Sequence, residues 1–199
     1  MIIARTIAIA LTLLSSPLTP AMAQDICGLS STALAEEITG RWQLSVVKST
    51  IISAELTQDA PAGDDEEVAI ALNETGAGGL FIKEAIVPLN ARHITQDGID
   101  RKPDHFAAYQ VAKASLGDAE SAEALHCPLN DLPQISGQKL TTDLHGDTVN
   151  TVELVLMGKG LIAGAQIVDV PAGKLGRKSP DVRIIASIVL RQISKGIDE

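Results

Sequence analysis

Asp143-Leu144-His145-Gly146-Asp147 places three potential metal ligands at alternate positions. On an extended chain such residues project from one face. Two carboxylates with one imidazole would make a weak site, and the same residue types suit a solvated turn ahead of a strand over 148–157. The turn is the expected reading, and no metal is assigned. Asp104-His105, beside Phe106 and Tyr109, could pair an orienting carboxylate with a base. It lacks a nucleophile, and neighbours on an extended chain face opposite ways, so a polar surface pair is expected. His93 stands alone; His126 adjoins Cys127, whose thiol chemistry disappears if the cysteine is oxidised. The acidic run 64–67 lacks the ligand intervals of a calcium loop. No Gly-x-Ser-x-Gly elbow, His-Glu-x-x-His pair or phosphate-cradling glycine loop occurs. A non-catalytic protein without a cofactor is therefore favoured, with Asp143, His145 and Asp147 the first residues to test for an enzyme.

The N-terminus gives the address. Arg5 precedes an apolar stretch over 6–14, and Pro17 and Pro20 lead to Ala21-Met22-Ala23. That is the pattern of a cleavable secretory signal over 1–23. The apolar run is about half the roughly 20 residues that cross a bilayer. Residues 24–199 are then one β-rich domain, periplasmic or secreted. Cys27 and Cys127 are the only cysteines, and in an oxidising compartment their natural state is a single disulfide. The chain carries a formal charge of −9, and cleavage would remove one further cation, Arg5. Such a surface disfavours nucleic acid and anionic headgroups. Four aromatic residues, Trp42, Phe81, Phe106 and Tyr109, are too few for base-stacking or sugar-gripping platforms.

Residues 32–38 form a short helix by the i, i+4 spacing of Leu34 and Ile38, stopped by Thr39-Gly40. Alternation of Trp42, Leu44 and Val46 with polar neighbours marks a half-buried strand, which continues towards Leu56. Residues 57–67 read as an exposed loop. A hairpin is expected from 68–72 and 80–87 around a Gly-rich turn; its Asn73-Glu74-Thr75 fits a glycosylation acceptor in a eukaryotic pathway. Turns and short strand pieces fill 88–103, and 119–125 suits a short helix. The firmest hairpin joins 151–156 to 161–170 across Gly158-Lys159-Gly160, and a last strand follows a basic loop over 171–180. This order implies a mainly β fold, a single antiparallel barrel or sandwich with a short N-terminal helix.

Gly40-Arg41-Trp42 at the head of the first strand, with Arg191 in the last, resembles the lipocalin pattern. In that family the Gly-x-Trp opens the barrel and a late arginine stacks across the indole, an arrangement favoured by cation-π attraction. The resemblance implies a lipocalin-like barrel with a small apolar ligand in its mouth. The family's Thr-Asp-Tyr signature has no counterpart here. The expected ligand-binding residues are Trp42, Leu44, Val46, Leu154, Leu156 and Arg191, with Val152 and Ile167 also facing inward. The alternative is an envelope structural or protein-interaction module using a strand edge or the basic loop.

Overall fold

The structure, a computed structural model, describes residues 27–93, 102–123, 127, 132–176 and 178–196. The expected signal segment 1–23, the Asp97-Gly98 turn and His126 lie outside the described residues.

Helix α1 (Ser31–Ile38) begins where Ser30 Oγ accepts the Ala33 amide at 3.2 Å, the usual way of satisfying an orphan N–H at a helix start. Its apolar face, Leu34, Ala35 and Ile38, is buried. The chain then enters β1 (Gly40–Ser53), and the Trp42 indole N–H donates to the Ile38 carbonyl at 2.9 Å, tying helix to strand. Gly40 is required at this junction, because its φ is +156° and a Cβ would strike the Ser194 carbonyl of the last strand.

Strands β2 (Thr57–Ala60), β3 (Glu66–Leu72), β4 (Ala77–Ile82) and β5 (Ala85–His93) follow. Helices α2 (Pro103–Ala114) and α3 (Asp118–Glu123) come next. Strands β6 (Pro133–Asp143), β7 (Gly146–Gly158), β8 (Leu161–Val170) and β9 (Val182–Lys195) complete the order. Antiparallel pairing runs β1-β3-β4-β5-β6-β7-β8-β9 and returns from β9 to β1, closing a barrel of eight strands. The short β2 lies beside β3 on the same edge of β1.

Inner and outer walls follow from the two-residue alternation. One core fills the barrel: Trp42, Ile70, Leu89, Ile135, Leu154, Leu156, Ile188 and Leu190 are among its members, and Leu34 and Ile38 of α1 plug its end. The second core lies outside, where Tyr109, Ala112 and Leu116 cover Val155, Met157, Leu161, Ala163 and Val189. The disulfide joins Cys27 to Cys127, with 5.5 Å between the Cα atoms, and Cys127 packs against this outer core.

Three sequence expectations need correction, and one strand was not anticipated. Residues 57–67 are not all loop, since β2 pairs its backbone with β1 while its side chains stay largely exposed, which hydropathy does not register. The run 80–87 is two strands, turned at Lys83-Glu84 with Lys83 at a φ of +50°. Residues 103–114 are a full helix whose buried positions Tyr109 and Ala112 are i, i+3 spaced, hidden from pattern reading by alanines. Strand β6 lies in a segment whose polar composition gives no strand signal beyond Ile135.

Candidate functional site

The barrel is uneven along its axis. At the α1 end all eight strands pair, and the lumen is filled: Trp42, Leu154 and Leu156 are fully buried and Leu44 is nearly so, with Val46 packed at the margin. Inward glycines sharpen the fit. A Cβ on Gly137 would meet the Pro88 carbonyl and the Leu89 side chain, so Leu89 occupies the space a larger residue would take. Val152 lies in this core as expected, whereas Ile167 does not: it sits opposite Thr151 and Ile185 on the outer wall.

Further up, the wall opens. The β5–β6 ladder runs only from His93↔Pro133 to Leu89↔Gly137. It ends one step before Pro88, which has no N–H to donate. The β1–β3 ladder likewise stops at Leu44↔Glu66. Past the ends of these two ladders β6, β7, β8, β9, β1 and β2 stay paired with one another, while β4 and β5 pair on only to their own turn at Ile82↔Ala85, leaving a trough open between β6 and β5.

Register defines the inner face of that trough. Lys139 lies opposite Asn150 and Thr141 opposite Thr148; Asn150 and Val152 face Val168 and Gln166; Ile184 and Ala186 continue the wall to Ile51 and Ser49. Ile51, Val168 and Ile184 are only partly buried, in contrast to the sealed aliphatics below them. Among the polar groups, Gln166 Nε2 donates to Asn150 Oδ1 at 3.1 Å, and Thr148 Oγ1 is buried without a hydrogen-bond partner among the described residues. Lys139 is half-buried and has no ion pair among the described residues, while Gln138 and Leu140 on either side are exposed. At the rim of the same end a cavity of about 540 Å³ is lined by Ser53, Val170, Pro171 and Val182 and by Asp169 and Arg183. Asp147 and Asp181 also line it, and its one cation is already engaged: Arg183 Nε and Nη2 hold Asp169 at 2.6 and 3.2 Å and Nη1 holds Asp104 at 2.9 Å.

Arg191 is on the outside. Its Nε donates to Glu120 Oε1 at 2.7 Å and its Nη2 to Oε2 at 3.1 Å, and this pairing holds the Glu120 carboxyl below the usual range. Leu190 is the neighbour that points inward. The stack of Arg191 across Trp42 implied by the lipocalin resemblance is therefore not formed.

Asp143, His145 and Asp147 do not converge. Asp143 and Gly146 are paired across a two-residue hairpin turn at Leu144-His145. Asp143 Oδ1 accepts the His145 amide at 2.8 Å while its other oxygen is bound by Lys174, which holds its pKa down. Asp147 accepts from the Thr142 hydroxyl at 2.6 Å. Among the described residues no group of three His, Cys, Asp or Glu side chains could hold a metal ion.

Asp104 and His105 open α2 rather than an extended segment, and they belong to a charged patch on the outer wall. There Glu153, almost fully buried, is bound by Lys102 and accepts from Gln134 Nε2 at 2.6 Å. His105 Nε2 is buried with no hydrogen-bond partner among the described residues, and burial lowers the His105 pKa from 6.5 against the opposing influence of Glu153. The Lys102–Glu153 pair ties the start of α2 to β7, and the helix itself packs against β8 and β9.

Comparison of the chain with known protein families, curated proteins and solved structures finds no match in any of the three. The site is read from its own geometry. Pattern reading placed Trp42, Leu44, Val46, Leu154 and Leu156 on the inner face, where they belong to the filled core or pack against it, and it did not name the residues of the open half. The sequence carries no signal for them, because the inner positions of β6 beyond Ile135 are Gly137, Lys139 and Thr141 while the apolar Leu140 faces the other way.

Proposed function

We propose that this protein is an exported, non-catalytic carrier or sensor that binds a small, partly apolar molecule in the open half of its barrel. One observation carries the reading: the inner wall changes from sealed aliphatics to the partly exposed Ile51, Val168 and Ile184 where the ladders to β3 and β5 end. Apolar side chains left half-covered in a concavity gain about 25 cal/mol per Å² when a ligand removes their remaining area from water. The previously expected residues Trp42, Leu44, Leu154 and Leu156 form the floor beneath that ligand, while Arg191 serves the outer wall. Export is supported by the signal-like N-terminus and the disulfide. No described helix is long and apolar enough to cross a membrane.

A second reading, an envelope interaction module, is favoured by the exposure of Leu140, Leu144 and Leu175 at the same end of the barrel. Methyl NMR separates the two. Titration with 1-octanol should shift the Ile51, Val168 and Ile184 methyls and leave those of Leu154 and Leu156 in place. No shift up to the solubility limit would remove the pocket and leave the interaction surface.

A further inference from the structure

We propose that the open half of the lumen selects amphipathic carboxylates, with Lys139 as the anchor for the anionic head. The inference rests on the reading of this trough as a ligand site and adds the chemistry of its ligand.

The polar groups on the inner wall are short of acceptors. Lys139 offers an ammonium with no counter-ion among the described residues, although the side chain is half-buried. Opposite it, Asn150 already uses its Oδ1 to accept from Gln166, so its amide N–H groups are what it has left to offer. Thr148, one inner-face position along β7, carries a buried hydroxyl with no hydrogen-bond partner among the described residues. The spacing of alternate residues on a strand puts Thr148 about 7 Å from Asn150, and a cross-strand neighbour such as Lys139 lies about 5 Å from Asn150. One carboxylate could therefore be reached by all three.

The local carboxylates do not supply the missing acceptor. On the inner face at this level, Asp143 is held by Lys174, and Glu66 on the opposite lip lies 3.1 Å from Lys83 Nζ. Among the described residues Lys139 is left as an unmatched charge in the trough, in a chain whose formal charge is −9. A neutral ligand would leave that ammonium half-desolvated without compensation, and a cation would be repelled by it. A carboxylate accepts charge-assisted hydrogen bonds from the lysine and neutral ones from the hydroxyl and the amide. The aliphatic wall of Ile51, Val168 and Ile184 is then left for its tail.

The test is calorimetric and NMR titration of the full mature chain with octanoate, 1-octanol and octylammonium at pH 7.5. Each shares one tail and differs only in the head. Octanoate is expected to bind at least tenfold more tightly than 1-octanol, with octylammonium weakest. Lys139→Met should bring octanoate down to the level of 1-octanol, and Lys139→Arg should retain most of the preference; both are read alongside a thermal melt, which the half-exposed position should leave close to wild type. Equal binding of octanoate and 1-octanol, or a preference that survives Lys139→Met, would overturn the anchor while leaving the pocket in place. Failure of all three compounds to shift the Ile51, Val168 and Ile184 methyls would instead overturn the pocket itself.

Discussion

Replacing both Cys27 and Cys127 by serine should leave the native structure in place and remove a large part of its stability. The two cysteines are separated by 100 residues, so the bond closes most of the chain between the N-terminus and β6 into one loop. Chain-entropy arguments give about 4.7 kcal/mol for a loop of that size, acting through the unfolded state. A single domain of this size has a urea m-value of about 2 kcal/mol/M, so the midpoint should fall by roughly 2 M. The folded state should be little changed, because the bond lies at the margin of the outer core and neither cysteine belongs to a strand ladder. Equilibrium urea unfolding, followed by the emission of Trp42 and by far-ultraviolet circular dichroism, measures both quantities. A midpoint within about 0.5 M of wild type at unchanged m would refute the reasoning, since it would mean that the unfolded chain is not appreciably constrained by the bond. A fall in m with altered native emission would show instead that the bond holds the barrel itself together.

Acidification should weaken the fold through His105. Its folded pKa lies below 6.5 because of burial, beside Glu153, Lys102, Asp104 and Arg183. The unfolded chain therefore binds more protons, and stability present above about pH 6.5 is lost as the pH falls towards the folded value. His105→Gln should flatten that part of the profile in thermal melts between pH 7.5 and 5.5, and an unchanged slope would assign the loss to other groups. Arg191→Ala should leave the emission maximum of Trp42 unchanged and cost no more than about 1 kcal/mol, the range for a partly exposed ion pair. A shifted indole spectrum would show that the guanidinium reaches the indole after all.

Much of the architecture was readable because it depends on local periodicity. The alternation of Trp42, Leu44 and Val46, the β7–β8 hairpin and the apolar run of β9 each report one half-buried face. The partnership of Cys27 with Cys127 was readable because no other cysteine competes. Helix α2 escaped because alanine fills its buried face without announcing a period, and β2 and β6 escaped because their pairing is a backbone property that their polar side chains do not advertise.

The candidate site divides in the same way. Sequence alone determined that aliphatic residues would line the inside of a β-rich domain and that aromatic platforms would not. Only the tertiary structure decided which part of that interior is full and which is open, because filling depends on how eight strands and α1 meet around one axis. Closure across β9 and β1 carried Arg191 to the outer wall, since adjacent residues of a strand face opposite sides and Leu190 faces in. The end of the ladder before Pro88 left Lys139 and Thr148 lining an open trough, a consequence of long-range register between β5, β6 and β7 that no local window of sequence contains.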